Sequence, residues 1–200
     1  MTDQDNKPSV SPIIAHMEHY LGPISDGWDT TAQGAQLAFP LARFASTPKA
    51  DWCVLSTLGL SAYPLKQANM DALRQELLTC WPEEVLDDAV PSHLYALADQ
   101  LYTNGEALGR GALLPLPQEP LLPSGSDRPW AAWYVTLPFF IPEQAILSRD
   151  TNPPTLLAWL MPVYEEEADF IFQEGAAAFE ERMMDKGLEL FEWPRQSLAD

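Results

Sequence analysis

Nineteen prolines punctuate these 200 residues, about twice the ~5% share usual in proteins. Each proline withholds a backbone N–H and fixes φ, so strands that contain one are pushed to edges or bulges. A chain marked this way predicts an irregular sheet. Gln36–Phe44 carries the pattern in small: Leu37, Phe39 and Leu41 alternate as in a half-buried strand, while Pro40 inside the run sends it to an edge or a bulge.

Other apolar runs extend the sheet. Trp52–Leu58 is rich in β-formers and ends at Gly59-Leu60-Ser61. Trp130–Ile141 and Thr155–Tyr164 are the most apolar runs and predict central strands, joined through residues 142–154. A short strand is expected near Ala112–Leu116 and a final one at Leu188–Trp193. Helices lie between them. Ser11 and Pro12 mark a helix start, Ile13, Ile14, Met17, Tyr20 and Leu21 recur at helical spacing, and Gly22-Pro23 stops it. Ser92–Tyr102 reads as a helix capped by Ser92, with Leu94, Leu97, Ala98 and Leu101 as its stripe. Glu165–Gly187 reads as one long helix whose stripe is Ala168, Phe172, Gly175, Phe179 and Met183. Met70–Trp81 stays open: Met70, Leu73, Leu77 and Trp81 fit a helix, yet Glu76–Trp81 fits a strand entering a turn at Pro82. Helices between antiparallel-looking strands, without a βαβ rhythm, indicate the α+β class: a single domain with a mixed, mostly antiparallel sheet flanked by helices. Residues 1–11 are expected to be a disordered lead-in and 12–200 the domain, with an exposed proline-rich loop from Pro115 to Pro129.

Charge narrows the function. The formal net charge is −18, from 29 acids against 11 bases. Nucleic acid and anionic membranes need clustered Lys and Arg, so both are disfavoured as partners. A basic protein is favoured, because a field of one sign speeds encounter with an opposite one by about 10–10³. The polar start lacks a signal-peptide pattern, and the apolar runs fall short of the ~18–20 residues that span a bilayer. Cys53 and Cys80 sit in apolar runs, where buried thiols are expected rather than a disulfide. A cytoplasmic location follows.

No catalytic constellation is complete. Gly59-Leu-Ser-Ala-Tyr63 approaches the G-x-S-x-G elbow, but Tyr63 replaces the second glycine and His93 is the only histidine downstream. A serine hydrolase using Ser61 is therefore an alternative of another class, and a structural turn is the expectation. His16 and His19 could share a helical face, yet no spacing supplies further ligands for zinc. The glycines of Gly105–Gly111 lack the Lys and hydroxyl residue of a phosphate-binding loop. Neither metal nor cofactor is expected. Acidic clusters remain at Glu83, Glu84, Asp87 and Asp88, and at Glu165, Glu166, Glu167 and Asp169, as candidate partner-binding residues.

Trp52-Cys-Val-Leu-Ser-Thr-Leu-Gly-Leu-Ser61 resembles the signature strand and turn of suppressor-of-fused-like domains. The later features keep the family's order. Arg74-Gln-Glu-Leu-Leu78 is similar to its "R-x-E-L" strand, and His93–Gly111 to its helix and glycine loop. Leu156–Glu167 is similar to its apolar strand ending in glutamate; Gly175 and Phe179 come next, and Arg195-Gln-Ser197 matches its closing arginine and serine. The match spans roughly residues 13–200 and makes Glu76–Trp81 a strand. The resemblance implies an α+β domain without known catalytic residues that acts by protein contact. Animal members pair it with a second domain to restrain transcription factors; with one domain here, stand-alone bacterial members are the nearer analogy. Those resemble immunity proteins that neutralise toxins, many of them basic nucleases. An immunity protein is thus the leading expectation and an intracellular regulatory adaptor the alternative.

Overall fold

A computed structural model describes residues 11–30, 34–67, 70–116 and 128–199. The expected lead-in lies outside them apart from Ser11, as do residues 117–127 of the expected proline-rich loop. The fold is α+β, a single domain. Its elements run α1 (Pro12–Leu21), β1 (Ile24–Thr30), β2 (Gln36–Ala45), β3 (Trp52–Thr57), β4 (Leu65–Gln67), β5 (Met70–Pro82), α2 (Ala89–Asn104), β6 (Leu113–Pro115), β7 (Ala132–Thr136), α3 (Glu143–Ile146), β8 (Leu147–Ser148), β9 (Thr155–Val163), α4 (Glu165–Glu174) and α5 (Ala176–Lys186). Among the described residues the sheet has nine strands in the order β1-β2-β3-β5-β9-β7-β6, with β4 paired to β5 and β8 to β9. All ladders are antiparallel except β5 with β9.

Neighbouring strand residues alternate between two cores. Val54, Leu78, Trp159 and Met161 point to one face, where Ile13, Met17 and Leu21 of α1, Ile171 of α4, and Phe179 and Met183 of α5 cover them. Leu55, Leu77, Ala158 and Leu160 point to the other, under Val90, Leu94, Ala98 and Leu101 of α2. The middle strands are apolar on both faces for that reason. β9 is central as expected, whereas β7 is next to the edge strand β6.

Pro40 sits at a bulge and not at an edge. Trp28 pairs with Leu41, but Thr30 pairs with Gln36, so the residues around Pro40 have no regular partner on β1. β1 itself escapes sequence reading, because Ile-Ser-Asp-Gly-Trp-Asp-Thr is mostly exposed and shows no apolar alternation. A side chain at Gly27 would put Cβ at 2.9 Å from the Leu41 carbonyl oxygen, so only glycine lets the two strands close.

Three expectations are corrected. The helix expected from Ser92 begins at Ala89, and Ser92 is inside it, its hydroxyl donating to the Asp88 carbonyl at 2.7 Å. The single helix over 165–187 is two helices, because Gly175 has φ +91° and ψ 160°, where a helix cannot continue. The break leaves Ile171 buried in α4 and Phe172 exposed. Leu188–Trp193 is not a strand: Gly187–Phe191 forms a 3-10 turn that drives Leu190 and Phe191 into the core, with Phe191 against Trp52 and Trp159.

Candidate interaction surface

The residues that carry the sequence signature converge beneath the sheet's end. After β3, Gly59 turns the chain at φ +112° into a 3-10 turn, Leu60–Ala62. That turn aims the N–H groups of Gly59 (2.8 Å) and Ser61 (3.1 Å) and the Ser61 hydroxyl (2.6 Å) at Oε1 of Glu76. Thr57 donates its hydroxyl to Oε2 at 2.5 Å and accepts the Leu77 N–H at 2.9 Å. Arg74 closes the turn by donating to the Ser61 carbonyl at 2.7 Å. Glu76 is fully buried, and burial pushes its carboxyl above the ordinary range against the pull of these hydrogen bonds. Ser61 is buried with its hydroxyl committed to Glu76, in a turn that holds strands together.

A second buried knot ties the end of the chain to α4. Arg195 donates to Glu167 through Nη1 (2.5 Å) and Nη2 (2.6 Å), and to the Pro162 carbonyl at 2.9 Å. Its guanidinium lies over Trp130 and Tyr164, which stack on each other at 4.2 Å. Glu167 also accepts the Tyr164 N–H (2.8 Å) and the Leu198 N–H (2.7 Å). The Glu167 carboxylate therefore faces inward and is withdrawn from the acidic surface.

The other candidate acids lie in two places, before α2 and on α4. Glu84, Asp87 and Asp88 are exposed before α2, and Glu83 is half-buried beside Arg43 at 3.8 Å. Asp87 accepts the Ala89 N–H at 3.0 Å and so supports the helix start. Glu165 and Asp169 are exposed on α4, while Glu166 pairs with Arg128. On α5, Glu180 accepts two bonds from Arg110 (2.9 and 2.6 Å) and one from Thr136 (2.8 Å). Burial opposes its ionisation, but these donors hold its carboxyl below the ordinary range.

The other candidates have local roles. His16 is buried with Nε2 at 2.8 Å from the Ala145 carbonyl oxygen and Nδ1 at 3.8 Å from Asp150, while His19 packs edge-on against Tyr20. Among the described residues no group of three His, Cys, Asp or Glu side chains is placed to hold a metal ion. In Gly105–Gly111, the buried amide of Gln75 bonds both the N–H (2.9 Å) and the carbonyl (2.8 Å) of Leu108, pinning the loop to β5. Cys53 and Cys80 are free and buried, and burial pushes the Cys53 thiol up to about 12 and the Cys80 thiol well above its usual value. Among the described residues no helix is long and apolar enough to cross a membrane. Sequence reading did not find the convergence on Glu76, since its backbone donors come from residues fifteen or more positions away in sequence.

The family described as suppressor of fused protein (SUFU) matches residues 38–196 of this sequence. No curated protein matches it. Among solved structures, a SUFU homolog from Neisseria gonorrhoeae is similar over 94% of both chains, with a TM-score of 0.66 and 15% identity, a likeness of fold.

Proposed function

The chain belongs to the suppressor of fused family, and on that footing we propose that it is a non-enzymatic protein-binding module, most specifically an immunity protein that occludes a basic toxin in the cytoplasm. The carrying observation is the division of its polar groups. The signature side chains Thr57, Ser61 and Glu76 bond one another in the interior, whereas Glu84, Asp87, Asp88, Glu165 and Asp169 face solvent. The interior set gives the fold its shape; the exposed set supplies a negative field that draws in a positive partner. A protein of net charge −18 selects a basic surface and rejects acidic ones by like-charge repulsion.

The test is co-expression with the product of the neighbouring gene. Protection of the cell, with a complex recovered by purification, is expected. If that product neither binds nor becomes less toxic, the immunity reading falls; binding to a non-toxic neighbour would make the protein a regulatory adaptor.

A further inference from the structure

Tyr95, Asp99 and Tyr102 follow one another at helical spacing along α2, which puts them on one helix face. That face flanks the buried stripe of Leu94, Ala98 and Leu101. Tyr95 and Tyr102 are joined from beneath by Phe39 of β2, a buried ring centred 5.4 Å from Tyr95 and 6.3 Å from Tyr102. Tyr63 completes the cluster edge-on to Tyr102 at 4.5 Å. The fold holds these rings in place. The Tyr95 hydroxyl accepts the Ala38 N–H at 3.1 Å, and the signature turn delivers Tyr63, whose N–H donates to the Leu60 carbonyl at 3.0 Å. They remain open to solvent: Tyr102 is 40% exposed, and Tyr63 and Tyr95 are half-buried.

Asp99 lies between the two helical tyrosines, one turn from each. It is half-buried, and among the described residues no ion pair or hydrogen bond reaches its carboxylate. Among the described residues no cation stacks on these rings, Lys66 beside the end of α2 included. Elsewhere the chain combines the same components with an arginine. Arg195 lies over Tyr164 while bonding Glu167, and Arg128 lies over Tyr164 while pairing with Glu166. We propose that the Tyr63, Tyr95, Asp99 and Tyr102 face is the docking site for an arginine side chain of a basic protein partner. A planar guanidinium stacks on a tyrosine ring while its N–H fork donates to a carboxylate, a combination that suits it better than a lysine ammonium. Tyrosine and arginine are also the side chains that most often anchor interfaces. Asp99 repels the phosphates of nucleic acid and lipid, and a second copy of this chain would bring its own charge of −18 with any arginine it offered. This rests on the reading of the chain as a module that binds a basic protein, and it names where that partner is anchored.

The full chain would be titrated at fixed ionic strength with the peptide Gly-Arg-Gly-Arg-Gly and with its lysine counterpart, monitored by amide NMR shifts. Shifts concentrated on residues 38–39, 60–63 and 95–102 are expected, with the arginine peptide the tighter binder. Asp99→Asn should leave thermal unfolding unchanged and weaken binding about tenfold, the worth of a hydrogen bond to a charged group. Tyr102→Ala should cost about threefold, the scale of an exposed cation–π contact, and Tyr102→Phe should restore it. Should Tyr102→Ala unfold, Asp99→Asn decides alone. The variant E181Q/D185N removes two exposed charges from α5 and should lose less than about twofold. Shifts spread evenly over the acidic surface, equal affinity for the two peptides, or a loss in E181Q/D185N as large as in Asp99→Asn would overturn the site. So would a proline-rich peptide that binds the same rings with an affinity indifferent to Asp99→Asn, because it would give the face to another class of segment. If the product of the neighbouring gene binds Asp99→Asn as tightly as the parent, this site falls and the proposed function stands. If the arginine peptide seats here and that product does not bind, the immunity reading falls and the site stands.

Discussion

Glu76 organises the signature turn through four donors, two of them backbone N–H groups. Replacing it with alanine strands those donors in the interior, and Glu76→Ala is expected to lose about 2–4 kcal/mol of stability by urea unfolding. An unchanged midpoint would remove the knot from the account. Glu180 makes an opposite kind of contribution, read through pH. Its folded-state carboxyl is held below the ordinary range, so the folded form releases its proton at lower pH than the unfolded form. The stability it provides is full above its unfolded pKa of about 4.3 and is lost as pH falls through the depressed folded value. Glu180→Gln should flatten that acid limb; an identical pH profile would contradict the assignment. Neither role was readable from the sequence. The motif residues Ser61, Arg74 and Glu76 were visible as a set, but their meeting depends on β3 and β5 lying side by side.

At the scale of elements, the sequence revealed most where burial is two-sided or periodic. β3 and β9 were legible as apolar runs, and α1 by its cap, stripe and Gly-Pro stop. Met70–Trp81 fitted two periods because β5 is buried on both faces from Gln75 to Pro82. β1 carried no pattern, since an exposed edge imposes none. The stripe through Phe172 failed because helical spacing was carried across Gly175, where the backbone turns and the phase restarts. Gly175 has φ and ψ that only glycine adopts readily, and no atom lies within 4 Å of an added Cβ. Gly175→Ala should therefore cost about 1–3 kcal/mol of backbone strain alone, measured by thermal unfolding. If the variant were as stable as the parent, the break would owe nothing to glycine. The Glu167–Arg195 pair fastens the closing segment of the chain onto α4. Breaking it with Arg195→Ala leaves a buried carboxylate and is expected to cost about 3–5 kcal/mol. A loss below about 1 kcal/mol would contradict the buried pairing.

For the molecule as a whole, composition sets the expectation of a basic partner, and the fold decides which acids such a partner could meet. Glu167 turned inward, Glu166 paired with Arg128, and the exposed acids of the two candidate clusters lie before α2 and on α4. Acidic counting could not separate these, because burial of a carboxylate depends on a partner, here Arg195, that sits 28 positions away. The consequence for function is kinetic: a negative field should act mainly on encounter and weaken as salt screens it. The most direct measurement is the association rate of this protein with the product of the neighbouring gene, recorded by stopped flow across a range of ionic strength. The account predicts a rate that falls about tenfold or more from low to high salt. No association, or a rate indifferent to salt, would contradict it.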